Sequence, residues 1–366
     1  MKRSTMVWID RMFFPAFFIF RKAKCLFPKK EVNSKEFRII KFFGLGSLAR
    51  IAYVLEQDPR IKSKVRFLTL RKNEQLMKAL NLEADYVNNK NLLTFSVSAV
   101  KQVFSIWRSR SVTILDMERS SNLAGLFGML LAIGKPYRGF HFKPHKTSVA
   151  GQKWVSLYNQ SAIDGIAEML EIKLDASSAI NKKSAKTTQR MAININAGDY
   201  LPERKFPLEK WIELCTSIYS HDTNVTFLLT GLASEKELVD ELEQKLLQAS
   251  TDIKIQNLAG KQNLHQFLTF LESVDLFITN DSGPLHLAQL KGVKTVAIWG
   301  PTSAQQVGYP DSECMLNLHQ QKNCSPCFIH PKSKVAQACH GQLNCFQEMD
   351  TFDMVKRIRT FTEHAL

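Results

Sequence analysis

The sequence predicts an α/β protein of two units with one plan, each a parallel sheet covered by helices on both faces. Three observations carry this. Strand-like apolar runs alternate with helix-period segments from residue 36 onward. The alternation stops in a Ser/Lys/Thr-rich stretch without apolar period, SSAINKKSAKTTQ (177–189), and restarts at residue 190. The length, 366 residues, suits two domains better than one.

In order, FRIIKFFGLG (37–46) reads as a buried strand running into glycines. SLARIAYVLEQDP (47–59) reads as a helix, with Ser47 as N-cap and Leu48, Ile51, Ala52 and Leu55 at helical spacing. KVRFLTL (64–70) and VTILDME (112–118) are strands, NLAGLFGMLLAIG (122–134) is a helix closing on Gly134, and RGF (138–140) begins another strand. From about 145 to 187 the chain turns polar and helical. The first domain is thus 36–176, the linker 177–189 and the second domain 190–349. In the second, RMAININAG (190–198), NVTFLLTG (224–231), IKIQNLAG (253–260), DLFIT (275–279) and VKTVAIWG (293–300) are strands. Between them stand helices at 206–220, with Pro207 in the first turn, at 234–248 behind a Ser cap, at 263–272 and at 284–290. Residues 350–366 form a last amphipathic helix. Two such units leave a cleft between them, where ligands usually bind.

Hydrophobic residues make up 45% and charged residues 23%, an ordinary globular balance. Lys and Arg number 49 against 34 Asp and Glu, a net charge of +15 that favours phosphorylated lipids, anionic membranes and nucleotides. Nucleic acid is excluded as a partner, because the basic residues are dispersed and none of the usual binding motifs occurs. The extension 1–35 contains MVWIDRMFFPAFFIF (6–20), interrupted by Asp10, Arg11 and Pro15 and too short to span a bilayer, then the basic RKAKCLFPKK. It lacks a convincing cleavable signal peptide. It reads either as a segment for the membrane interface or as a loosely packed extension.

Residues 278–288, ITNDSGPLHLA, raise a sharper question. A strand, a tight turn and a helix meet there. Asp281 or Ser282 can cap the helix, Gly283 lets backbone approach a ligand, and Gly292 closes the far end. Free N–H groups of the first turn then make an anion site suited to a diphosphate, with His286 one turn in as a further donor. A plain capped helix with a structural histidine is the other reading.

NDSGPLHLAQLKGVKTVAIWGPT resembles the hallmark segment of glycosyltransferase family 9, the lipopolysaccharide heptosyltransferase-like enzymes, in Asp281, Ser282, Gly283, His286, Ala288, Gly292 and Gly300-Pro301-Thr302. INAGDYLPERKFPLEKWIEL, FLLTGLASEKEL, ILDMERS and the CSPC tail are similar to further family segments in order and spacing, over about residues 37–360. The resemblance implies a GT-B fold: two Rossmann-like domains facing a cleft, the second holding a nucleotide-diphospho-sugar such as ADP-heptose, the first an anionic, lipid-linked glycan. It implies a last helix that returns to the first domain. It also implies inverting transfer without a catalytic cofactor, by an enzyme peripheral at the cytoplasmic face of the bacterial inner membrane. Asp281, Ser282, Gly283 and His286 would surround the diphosphate, Arg204 and Lys205 would supply positive charge, and Glu235 would approach ribose or base. For Arg204 and Glu235 the residues alone read as a solvated charge and an ordinary first-turn residue.

The sequence departs from the family at the first glycine turn, where the family's general-base Asp is replaced in Gly46-Ser47. Serine cannot accept a proton at neutral pH without a partner base. Glu118 and Asp199, each just after a strand, are substitutes, and each also reads as a turn or cap residue. The alternative is a silent binder that keeps only the donor site. Of seven cysteines, Cys25 and Cys215 stand alone and five fall between Cys314 and Cys345, unlike a secreted disulfide framework, so a reducing cytosol fits. Cys324, Cys327, Cys339 and Cys345 give C-x2-C…C-x5-C, a set that can hold a structural zinc; His319, His330 and His340 lie nearby. Reduced thiols packing a loop are the plain alternative.

Overall fold

The computed structural model describes residues 36–88, 90–109, 111–118, 122–141, 152–156, 160–174, 189–198, 201–320, 322, 324–327 and 344–363. The extension 1–35, the linker 177–188, Asp199, His330, Cys339 and His340 lie outside them. The chain divides into two compact units, one ending at Asp175 and the next beginning at Ala176.

The first unit holds β1 (Glu36–Ile40), β2 (Val65–Leu70), β3 (Ala84–Val87), β4 (Val112–Asp116), β5 (Tyr137–His141) and β6 (Gln152–Ser156). They form one sheet in the order β3-β2-β1-β4-β5-β6, every pair parallel. Helices α1 (Leu45–Glu56), α2 (Leu92–Arg108), α3 (Asn122–Leu131) and α4 (Ala162–Leu170) connect them. Strands β1, β2 and β4 are apolar because they lie in mid-sheet under helices: Ile39, Ile40, Phe67, Leu68, Ile114 and Leu115 are all 0% exposed.

Two features differ from the sequence reading. The region from 145 to 187 contains strand β6 as well as helix α4. Helix α1 starts at Leu45, so Ser47 sits inside its first turn and is not the cap. The cap is Gly44, whose φ of 86° turns the chain into the helix early, in a conformation that L side chains resist.

The second unit repeats the plan. Its strands are β7 (Arg190–Asn194), β8 (Thr226–Thr230), β9 (Lys254–Asn257), β10 (Leu276–Asn280), β11 (Thr295–Trp299) and β12 (Met315–His319), ordered β12-β11-β10-β7-β8-β9 and all parallel. Counted from each unit's first strand this is the same order, with the switch point between the first and fourth strands. Helices α5 (Leu208–His221), α6 (Lys236–Ala249), α7 (Leu264–Leu271) and α8 (Gly283–Leu290) link the strands. Trp211, Leu214, Cys215, Phe227 and Leu242 are 0% exposed in its core, and burial pushes the Cys215 thiol up to about 12.

The last helix, α9 (Thr351–Glu363), belongs to this second unit. Met354, Val355 and Ile358 are buried in the second unit's core, Arg357 Nη2 donates to Asn317 O (3.0 Å), and Thr351 Oγ1 donates to Glu213. The apolar face of α9 is thus spent on the core of the second unit. Among the described residues no helix is long and apolar enough to cross a membrane.

Candidate functional site

In each sheet the chain reverses its winding between the first and fourth strands, and the turns leaving those strands are the place for a ligand. In the first unit they are residues 41–47 after β1 and 117–118 after β4. Here Glu118, expected as a substitute general base, is already committed. Its Oε1 accepts from Lys41 Nζ (2.8 Å), and its Oε2 accepts from Phe42 N (3.0 Å) and Phe43 N (3.1 Å). Its side chain is 3% exposed and that of Lys41 4%. A carboxylate with both oxygens engaged in a buried ion pair and two amide bonds is a latch on the β1 turn. These bonds hold Glu118 at the turns where the sequence reading places its proton-acceptor role.

The rest of this turn is equally tied. Thr69 Oγ1 donates to Lys41 O (2.5 Å), and Asn73 Nδ2 donates to Phe42 O (3.0 Å). Ser47 Oγ accepts from Arg50 Nη2 (3.2 Å), one turn further along α1. A guanidinium does not make serine a base. Asp116, at the end of β4, is buried beneath these turns and takes bonds from Glu118 N (3.0 Å) and Tyr137 Oη (2.9 Å). Burial pushes its carboxyl up to about 7, although both bonds favour the charged form. Asp199, the other substitute base, lies outside the described residues.

The second unit finishes the equivalent turns differently. Ser282 stands at the cap position of α8 with extended backbone, φ −149° and ψ 171°, yet makes no capping bond. Its Oγ pairs with Thr279 Oγ1 instead (3.2 Å). The Ser282 side chain therefore does not cap the first turn of α8, at the carboxyl end of β10. Asn280 fixes the turn against β7 and the start of α5: its Nδ2 donates to Ile195 O (2.8 Å) and its Oδ1 accepts from Phe206 N (3.1 Å).

Arg204 is held over this turn. Its Nη2 donates to Ala197 O (2.7 Å) and its Nη1 lies 3.5 Å from Asp281 Oδ2. Its side chain is 17% exposed and that of Asp281 6%, so Arg204 is a placed cation rather than a loose surface charge. Lys205 follows at the end of the same short turn. His286 lies one turn into α8 and is buried, with Nδ1 3.3 Å from Tyr309 Oη. Glu235 Oε2 accepts from Leu232 N (2.8 Å), which folds the turn after β8 around Gly231.

Sequence reasoning missed Asn196. Asn196 is 3% exposed, and neither its Nδ2 nor its Oδ1 has a hydrogen-bond partner among the described residues. Asn194 Oδ1 and Thr302 Oγ1 are buried without a partner among the described residues as well. A Cβ on Gly231 would stand 3.0 Å from Asn196 Nδ2 and 3.5 Å from Glu235 Oε2, so a side chain there would crowd both. Buried polar groups are nearly always paired, and leaving one unpaired costs about 1–3 kcal/mol. An amide with both ends unpaired at the carboxyl end of a strand fits a group that completes itself on a ligand.

The cysteine segment docks nearby. Ser325 Oγ donates to Gly300 O (2.6 Å), Cys327 N donates to Pro301 O (2.9 Å), and the Phe346 ring packs on Gly300. Cys324 is exposed, Cys327 half-buried and Cys345 buried. Among the described residues no group of three or more His, Cys, Asp or Glu is assembled for a metal, and Cys339 lies outside them.

Glycosyltransferase family 9 (heptosyltransferase) matches residues 139–336, more than half of the chain. The lipooligosaccharide heptosyltransferase 2 of Campylobacter jejuni is 26% identical over 244 residues, 66% of this chain and 75% of that protein. Among solved structures, a glycosyltransferase family 9 protein of Veillonella parvula superposes with a TM-score of 0.66 at 16% identity, covering 91% of this chain and 99% of its own. The E. coli ADP-heptose LPS heptosyltransferase II gives 0.59 at 12%, covering 90% and 99%. E. coli WaaC with ADP-2-deoxy-2-fluoro heptose gives 0.54 at 13%, covering 78% and 93%. These structures share the fold seen here, two parallel-sheet α/β domains of the GT-B kind. The chain belongs to glycosyltransferase family 9 and is a glycosyltransferase.

Proposed function

We propose that this glycosyltransferase takes a heptose or similar sugar from a nucleotide-diphospho-sugar such as ADP-heptose. The acceptor is an anionic, lipid-linked glycan of the lipopolysaccharide type, and transfer is inverting. The observation that carries the donor half is the group of unpaired buried polar atoms on Asn196, Asn194 and Thr302, beside an α8 start without a side-chain cap. The heptosyltransferase names of the relatives support the sugar and the acceptor.

In this reading the diphosphate lies on the first turn of α8, bounded by Asp281, Ser282, Gly283 and His286. Arg204, with Lys205 beside it, faces the charge that grows on the departing phosphate. Fixed N–H groups and a placed cation stabilise that charge without reorganising. Glu235 and Asn196 take the nucleoside. Sugar-phosphate cleavage then needs no catalytic cofactor. A structural zinc on Cys324, Cys327, Cys339 and Cys345 remains part of the proposal, and the zinc content of protein purified without added metal checks it. The enzyme works at the cytoplasmic face of the inner membrane, where such acceptors are exposed.

A second reading is favoured by one observation. Ser47 replaces the expected base, and the two carboxylates described at the ends of β1 and β4, Asp116 and Glu118, are both engaged. A silent nucleotide-sugar binder fits that as well. Product formation from ADP-heptose and a lipid-linked core acceptor separates the two, measured in the native chain and in Ser47→Asp. The proposal expects slow transfer in the native chain and faster transfer in Ser47→Asp. Nucleotide binding without product in both would leave the silent binder.

A further inference from the structure

Helix α2 is apolar around most of its circumference. One side is spent on the first unit's core, where Ala99 and Ile106 are buried and Phe95 and Val103 pack against them. The other side is not covered: Val97 is 64% exposed, Val100 52%, Phe104 61% and Trp107 45%. At about 3.6 residues per turn these four positions form one stripe along the helix. The stripe is also ordered. The Phe104 and Trp107 rings meet edge to face with centroids 6.0 Å apart, and Trp107 Nε1 donates to Leu130 O (3.2 Å). Trp107 thus holds its one polar atom on the neighbouring helix and leaves its ring face outward.

The charge beside the stripe has one sign. Lys101 and Arg108 are exposed next to it on α2. From Tyr86 to Leu115 the chain contains Lys90, Lys101, Arg108 and Arg110, and no Asp or Glu at all. A second copy seated stripe to stripe would bring these like charges together. A surface that is negative at its polar layer and apolar just beneath satisfies both parts.

We propose that α2 docks the protein on anionic bilayers. The stripe Val97, Val100, Phe104 and Trp107 enters the boundary between headgroups and acyl chains, and Lys101 and Arg108 meet the acidic headgroups. The docking itself requires nothing of the donor site. Its purpose rests on the proposed function: α2 belongs to the first unit, so docking by its outer stripe holds the unit that would receive the acceptor on the surface that carries it.

The test is co-sedimentation of the full chain with phosphatidylglycerol-containing vesicles, with pure phosphatidylcholine vesicles as the comparison. The native chain is expected to sediment with the acidic vesicles. Val97→Ser/Val100→Ser/Phe104→Ser and Lys101→Glu/Arg108→Glu should each weaken binding about tenfold or more with unchanged circular dichroism. Brominated acidic lipid should quench Trp107 fluorescence in the native chain, and Trp107→Phe should remove that component. Binding of both combined variants at native strength overturns the proposal. So does native binding that vanishes on deleting residues 1–35 while the stripe variants bind normally, which would give the role to that segment. A stripe variant that changes only the oligomeric state would make the occupant a second copy. ADP-dependent thermal stabilisation is recorded on the same proteins. Lost vesicle binding with intact ADP response breaks the docking alone, and an absent ADP response in the native chain breaks the donor reading alone.

Discussion

The turn after β1 is tied to the turn after β4 by Lys41, Glu118 and the amides of Phe42 and Phe43, with Thr69 and Asn73 holding the same loop from the side. The matching turns after β7 and β10 hold Asn196 with both amide atoms unpaired among the described residues, a helix start that Ser282 does not cap, and Arg204 held over Asp281. The two sheets share one strand order, so topology alone does not distinguish them. The difference lies in how the polar groups at the switch point are satisfied. At the first unit's turns Lys41 and the amides of Phe42 and Phe43 are met by Glu118. The second leaves donors and acceptors in a dry place, which is costly unless something binds there. A shared fold thus places two potential sites, and side-chain bonding decides which is poised for an anion.

The comparison breaks most easily at Glu118. If it is a latch, Glu118→Ala should remove the carboxylate that Lys41 and the Phe42 and Phe43 amides share and cost about 3–5 kcal/mol in urea unfolding. Lys41→Met with Glu118→Gln should recover part of that loss. A Glu118→Gln protein of native stability that has lost transfer would restore the carboxylate to catalysis. Next in size is Arg204→Ala, which should lower the rate of transfer about a hundredfold while leaving unfolding within about 1 kcal/mol of native. A variant that loses stability in step with activity would make Arg204 structural.

Asp116 sharpens the picture of the first unit through pH. Its carboxyl is raised from 3.8 to about 7 in the folded chain, so folding favours its protonated form. The stabilisation it gives is complete below 3.8 and is lost as pH rises to about 7. Unfolding free energy measured across that window should fall with rising pH more in the native chain than in Asp116→Asn. Equal slopes would mean that Asp116 is not dry.

Much of this could be read from the chain, for reasons visible in particular residues. ITNDSGPLHLA marks its own turn, because Ser, Gly and Pro at those offsets fit only a strand ending in a helix start. The alternation of strands such as FRII and RMAIN with amphipathic helices reflects buried parallel sheets directly. Helix α2 escaped because it is apolar on two sides, one for the core and one exposed, which blurs the helical period. Strand β6, QKWVS, is short and half polar, and lies in a stretch that reads as polar and helical. The bonds of Glu118 and the setting of Asn196 escape sequence reading for one reason. A Glu after a strand becomes a latch only through amides 75 and 76 positions away, and an Asn after a strand looks like any turn residue until its surroundings are seen to offer it nothing.

That asymmetry concentrates in Asn196→Leu. Replacing an unpaired buried amide with an apolar side chain of similar size should raise the melting temperature of the ligand-free chain, by about 1 kcal/mol in stability. It should also remove most of the rise that ADP produces in the native protein. The most direct measurement is thermal unfolding of both proteins with and without ADP. The account predicts a higher starting point and a much smaller ADP response in the variant. An undiminished response would contradict it, as would a variant that starts lower and responds fully, because Asn196 would then serve the fold and not the ligand.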